Sequence, residues 1–336
     1  MEPESMSAPA VTKPTASVRE FTADLVVQRR TTPVDGVVVL DLGAPGGQDL
    51  PRWEPGAHID LILGDGLTRQ YSLCGDPHNP AAWRVGVLLD PNSRGGSRYI
   101  HENLSEGSTV RVRGPRNNFP LVETASYRFI AGGIGITPIL TMIESAERAG
   151  DDWTLLYGGR TRASMAFAEE LADRHPERVT VWPQDECGLL DLETLLKDPP
   201  LDALVYCCGP EPLLAAVEQH CAHWPAGALH IERFAAKAPP AEQAGEALES
   251  FEVVCQRSGV TLPVGANQSI LEVLEANGVP TLSACYEGIC GTCQARVLDG
   301  AVDHRDSVLS EAEQASGEVM MTCVSRSRTE KLVLDL

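Results

Sequence analysis

A chain of 336 residues is too long for one ordinary hydrophobic core, so two or three domains are expected. Its formal net charge of −20 argues against nucleic acid or an anionic membrane as a partner, since both require basic patches. No uncharged apolar run approaches about 18 residues, so no membrane-spanning helix is expected. The acidity reads first as a solubility device and second as a docking surface for a partner of complementary charge.

The chain starts MEPESMSAPAVTKPTAS, with acids and prolines where a signal peptide needs an apolar stretch. Residues 1–18 are expected to form a disordered tail, and the protein to be cytoplasmic. In that reducing compartment its ten cysteines should be thiols or metal ligands rather than disulfides.

Residues 19–124 carry short alternating segments: GVVVLDL, RQYSLCG, WRVGVLLD and STVRVRGP, separated by turn residues. This pattern predicts an antiparallel β-barrel or sandwich. Arg69 and the Gly95–Gly96–Ser97 turn could together hold a phosphate, one as a bidentate cation and the other as N–H and hydroxyl donors. Tyr71 offers a ring to stack on an aromatic cofactor and Ser72 a hydroxyl, although Arg and Tyr on a strand also serve surface and barrel packing.

From residue 125 to 235 strands alternate with amphipathic helices: YRFIAGG, TPILTMIESAERAG, WTLLYGG, MAFAEELADRH, LDALVYCCG and PEPLLAAVEQHCAHW, ending at ALHIERF. That alternation predicts a parallel sheet between helices, an α/β nucleotide-binding domain. In AGGIGITP the glycines 132, 133 and 135 let the backbone approach a ligand, and the following helix N-terminus favours a pyrophosphate. Pro138 stands where a third fingerprint glycine would be, and a tight turn alone would also need glycines. Residues 236–249, rich in Ala, Pro and Glu, read as a linker.

The remainder, 250–336, contains FEVVCQRSGVTLPVG, a hairpin, and SILEVLEANG, a helix with a Ser269/Glu272 capping box and a Gly278 stop. Then comes Cys285-x4-Cys290-x2-Cys293, with 29 residues between Cys293 and Cys323. This is the ligand spacing of a plant-type [2Fe–2S] cluster. Two ferric ions, two sulfides and four thiolates leave a buried charge of about −2, which needs many hydrogen-bond donors. Gly288 and Gly291 would let backbone N–H groups point at the sulfurs. Structural zinc also takes four thiolates, usually as two C-x2-C pairs, and only one such pair is present. Cys74, Cys187, Cys207, Cys208, Cys221 and Cys255 are scattered and read, for the most part, as small buried hydrophobes.

R-x-Y-S-L at 69–73, R-G-G-S at 94–97, G-G-I-G-I-T-P at 132–138, C-G-P at 208–210 and the cysteine motif occur in one order. Over residues 20–336 the chain thereby resembles the phthalate dioxygenase reductase family, which includes vanillate O-demethylase reductases. The resemblance implies a multidomain protein: a ferredoxin-reductase-like antiparallel β-barrel, an α/β nucleotide-binding domain and a β-grasp ferredoxin domain. It implies FMN rather than FAD in the barrel, with Arg69, Gly95, Gly96 and Ser97 on its phosphate and Tyr71, Ser72 and Leu73 along its ring. It implies Gly133, Gly135, Thr137 and Pro138 facing the nicotinamide dinucleotide, with Cys208, Gly209 and Pro210 beside the nicotinamide. Ser72 and Cys208 would flank hydride transfer, and Phe234 would lie near the flavin. Cys285, Cys290, Cys293 and Cys323 would hold the [2Fe–2S] cluster.

The resemblance favours NADH, whereas Arg160 and Arg162 at the expected adenosine ribose could accept the 2′-phosphate of NADPH. The modules imply hydride transfer from nicotinamide to FMN and then single electrons through the cluster to an outside acceptor. In the family that acceptor is the terminal oxygenase of a Rieske system acting on aromatic acids. Tyr286 and Glu287 are expected to be exposed for its docking, on a chain that is a monomer. A cytochrome P450 acceptor is the near alternative, and a zinc-stabilised interaction module is the alternative of another class.

Overall fold

The computed structural model describes residues 20–64, 67–91, 93–200, 202–235 and 249–336. The expected N-terminal tail and all but Glu249 of the expected linker lie outside the described residues.

The first unit comprises β1 (Thr22–Val34), β2 (Val37–Gly43), β3 (Ala57–Ile62), β4 (Thr68–Ser72), β5 (Trp83–Leu88), α1 (Gly96–Asn103) and β6 (Thr109–Asn117). The strands run in the order β4-β3-β6-β1-β2-β5, every neighbour antiparallel. A bridge between Leu73 and Val85 joins the two edges and closes the barrel. Alternate residues point inward, so Val38, Leu40 and Leu42 of β2 meet Trp83, Val85 and Val87 of β5 in one core. The R-G-G-S segment, expected as a turn only, opens helix α1. Gly95 takes φ 93°, a conformation that favours glycine, and the helix then drops Ile100 into the barrel core.

The second unit contains β7 (Ser126–Gly132), α2 (Ile136–Ala149), β8 (Asp152–Gly159), α3 (Ala168–Arg174), β9 (Val179–Pro183), α4 (Gln184–Cys187), α5 (Leu192–Leu196), β10 (Ala203–Cys208), α6 (Glu211–His220) and β11 (Leu229–Glu232). Its sheet is wholly parallel, in the order β11-β10-β7-β8-β9. Side-chain parity sorts its two cores. Phe129, Ala131, Tyr206 and Cys208 face Ile139 and Met142 of α2, while Ile130, Val205 and Cys207 face Leu196 of α5 and Leu214 of α6. The strand order reverses between β7 and β10, so the crevice at their carboxyl ends is the switch point where such sheets bind ligands.

The third unit has β12 (Phe251–Cys255), β13 (Val260–Val264), α7 (Ile270–Ala276), β14 (Gln294–Asp299), β15 (Val302–Asp303), α8 (Glu311–Ser316), β16 (Val319–Met321), β17 (Arg326–Ser327) and β18 (Lys331–Leu334). The mixed sheet β13-β12-β18-β14-β16 holds one parallel pair, β12 with β18. Helix α7 starts on the expected capping box: Glu272 N–H donates to Ser269 Oγ at 3.1 Å and Ser269 N–H donates back at 2.8 Å. Of the six cysteines expected to be buried hydrophobes, Cys187 is exposed on the short α4, where no core reaches it.

Candidate functional site

The loop after α7 carries Cys285 and Cys290, Cys293 sits just before β14, and Cys323 follows β16. Three chain segments thus bring four buried sulfurs together. Hydrogen bonds from Cys290 and then Cys323 lower the Cys285 thiol below the ordinary thiol range, and Glu287 N–H adds a donor to its sulfur at 3.3 Å. Cys293 is lowered first by its bond from Cys323. Among the described residues no three His, Cys, Asp or Glu side chains close on a single ion. A two-iron centre spreads its thiolates over two metals, and four converging sulfurs with backbone N–H support are the donor set it takes. Gly288 and Gly291 adopt φ 68° and 72°, and non-glycine Tyr286 adopts φ 59°. The Tyr286 hydroxyl bonds Glu275 and Ser283, each at 2.9 Å, which pins that left-handed residue.

The sulfurs Cys285 and Cys290 border a cleft whose far walls are His58, Arg69, Ser72, Glu232 and Phe234. His58 lies opposite Ser72 in the β3–β4 pair, so both side chains leave the same face. Their polar atoms, His58 Nε2 and Ser72 Oγ, are buried with no hydrogen-bond partner among the described residues. Burial, and then the neighbouring Arg116 cation, push the His58 imidazole down to about 4, so it is neutral at pH 7. Two orphaned polar atoms from residues that line a cleft suit the heteroatoms of an aromatic ring system.

Arg69 donates to the carbonyls of Thr68 at 2.8 Å and Arg94 at 2.9 Å. Its stem crosses Gly96 so closely that a Cβ there would lie 2.5 Å from Arg69 Cγ. Gly96 is therefore needed for the Arg69 conformation at the head of α1. The Ser97 hydroxyl donates to Ser93 Oγ at 2.9 Å and accepts Asp90 N–H at 3.2 Å. Of the other expected ring contacts, Leu73 is fully buried in the barrel core and the Tyr71 ring packs against that core. Strand alternation explains this: positions 71 and 73 share one face of the chain, and 72 takes the other.

On the α/β side, Cys208 Sγ lies 4.0 Å from Glu232 Oε2. Burial raises the Glu232 carboxyl to about 8, outweighing the nearby Ser72 hydroxyl, which acts to lower it. Glu232 keeps part of its surface toward the cleft. Phe234, 40% exposed, stands at the cleft edge.

The glycine turn has a different physical basis from the expected one. A Cβ on Gly135 would sit 2.2 Å from the Cys208 carbonyl oxygen, and one on Gly132 2.7 Å from Pro210 Cδ. These glycines let the turns after β7 and β10 touch each other. Gly133, at φ 54° with open space around it, remains available to a ligand. Thr137 and Pro138 are buried at the start of α2; Thr137 donates to the Ile134 carbonyl at 2.9 Å. Gly209 backs onto Gly132, 3.0 Å from its Cα once a Cβ is added. Arg160 is exposed, whereas Arg162 pairs with Glu186 at 3.2 Å and Glu169 at 3.4 Å. Glu287, expected to be exposed, is only 23% so and pairs with Arg94 of the barrel; Tyr286 is 49% exposed. The sequence reading passed over His58 and Glu232. Glu232 lies two residues before Phe234 in ERF, and only the fold shows that its carboxyl turns into the cleft.

Residues 253–328 match a 2Fe-2S iron-sulfur cluster binding domain, and residues 129–219 match an oxidoreductase NAD-binding domain. The chain is 44% identical over 304 residues to the phenoxybenzoate dioxygenase subunit beta of Ectopseudomonas oleovorans, covering 90% of this chain and 93% of that protein. It is 35% identical to the solved phthalate dioxygenase reductase, with TM-score 0.69, covering 94% of this chain and 98% of that one. The chain belongs to the phthalate dioxygenase reductase family. As a member of that family it is an oxidoreductase with a nicotinamide-binding domain and a [2Fe–2S] domain. The family's three-part architecture also recurs inside a longer protein. An intact type IV self-sufficient cytochrome P450 monooxygenase is 46% identical with TM-score 0.87 over 94% of this chain, which spans 41% of that longer chain.

Proposed function

We propose that the protein is the reductase component of a Rieske-type aromatic oxygenase or O-demethylase, passing electrons from NADH through FMN to the [2Fe–2S] cluster and on to the terminal oxygenase. The observation that carries this is the shared cleft: Ser72 of the barrel, Glu232 of the α/β unit and the cluster cysteines Cys285 and Cys290 all line it. FMN, when bound, supplies the conversion between a two-electron hydride and a one-electron cluster. Arg69 with the Gly95–Gly96–Ser97 turn would hold its phosphate at the head of α1. His58 and Ser72 would present their polar atoms to its ring, and Glu232 keeps a proton beside Cys208 up to about pH 8. The turns at Gly133 and Cys208–Pro210 flank the crevice where the nicotinamide would enter. NADH is favoured over NADPH by the family resemblance; of the two arginines that could take a 2′-phosphate, Arg162 pairs with Glu169 and Glu186 while Arg160 is exposed. No helix among the described residues is long and apolar enough to cross a membrane.

The test is metal and flavin content, followed by Cys290→Ser. Purified protein should carry FMN, iron and acid-labile sulfide. The variant should lose cluster-dependent cytochrome c reduction and keep NADH-to-ferricyanide activity; retention of both activities would refute the assignment. The likeness to the self-sufficient P450 favours a second reading, in which the acceptor is a cytochrome P450. Coupled turnover with purified Rieske oxygenases and P450s separates the two.

A further inference from the structure

The cluster loop touches the barrel at three places. Arg94 of the barrel pairs with Glu287 through two contacts, one of them a hydrogen bond of 2.7 Å. Arg113 of β6 donates to the Ser283 carbonyl at 3.0 Å, and Asn118, just past β6, donates to the Cys290 carbonyl at 2.9 Å. All three donors lie on the barrel, and all three acceptors lie within residues 283–290.

The donors are held in advance. Arg113 is 15% exposed and pairs with Asp60, whose carboxylate is fully buried, at 2.7 Å. Burial alone would raise Asp60; Arg116, Gln70 and Arg113 overcome it and keep the carboxyl below its ordinary range. Asn118 fits because residue 291 is glycine: a Cβ there would come within 3.1 Å of Asn118 Nδ2. The Arg94 backbone carbonyl accepts from Arg69, so one residue ties the phosphate-binding turn to the cluster loop.

We propose that Arg94, Arg113 and Asn118 are positioning residues that latch the ferredoxin domain onto the barrel, with the Cys285–Cys290 side of the cluster loop against the cleft. The latch sets the separation between the flavin site and the cluster, and the Arg94–Glu287 pair, with Arg94 56% exposed, makes it salt-sensitive. The inference rests on the reading that the cluster is filled from this cleft. Small-angle scattering measures the pose alone, so its failure would leave that reading standing.

The experiment uses full-length holoprotein, between about 0.05 and about 0.5 M salt. Glu287→Arg should enlarge the radius of gyration by several ångströms and expose peptide 283–291 to faster hydrogen exchange. The Arg94→Glu/Glu287→Arg double variant should restore both. Unchanged dimensions in the single variant, or no recovery in the double, would overturn the latch. Should the charge variants fail to fold, Asn118→Ala supplies the decision. It should speed exchange at 283–291 and lower cytochrome c reduction about tenfold, since small misplacements of reacting groups are costly, while ferricyanide reduction is unmoved. Native exchange rates in Asn118→Ala would sink the proposal.

Discussion

Glu232 sits where burial and function meet. Its carboxyl holds a proton up to about 8, against an ordinary 4.5, because burial disfavours the anion. The unfolded chain releases that proton from about pH 4.5, and the folded chain only near pH 8. Between those values the folded state binds more protons, so this group's contribution to stability is fully present below pH 4.5 and declines as pH rises toward 8. Glu232→Gln should flatten that decline. The wild-type melting temperature should drop more between pH 5 and pH 8 than the variant's; parallel curves would show that the carboxyl is hydrated after all. That the four cysteines converge was legible because thiolate spacing is a local signal. His58 was not, since one histidine in GAHIDL says nothing of a face it shares with Ser72 across a strand pair.

Among the elements, the glycine turn after β7 repays substitution. Gly135→Ala would drive a methyl to 2.2 Å from a fixed carbonyl of the turn after β10, so backbone must shift. A loss of about 2 kcal/mol is expected, as for overpacking, together with a raised KM for NADH. Gly133→Ala meets no atoms and costs only its left-handed φ of 54°, about 1 kcal/mol. Thermal melts of the two variants check the order; equal melting points would mean that the turns separate readily. Helix α7 was readable to its cap because Ser269 and Glu272 answer each other within one turn. Helix α1 was not, because its Gly-Gly-Ser start resembles a plain turn and its stop is set by Ile100 and Leu104 entering the barrel core.

At the scale of the whole molecule, the barrel, the α/β unit and the ferredoxin unit each bury a core of their own. Removing iron should therefore loosen one part and spare the others. Hydrogen exchange after chelation should rise across residues 283–293 and around Cys323, with the core strands of the barrel and the α/β sheet unchanged. Exchange rising throughout the chain would mean that the three cores unfold as one. The order of barrel, parallel sheet and ferredoxin was legible from hydrophobic periodicity, yet the way they meet was not, because Arg113 within β6 and Asn118 just past it look like ordinary polar residues of a strand and its end. Both of their grips end on main-chain oxygens, which every residue type possesses. The side chains of the cluster loop can therefore change without taking those two acceptors away, so the seam between barrel and ferredoxin unit depends more on the path of the loop backbone than on its residue types.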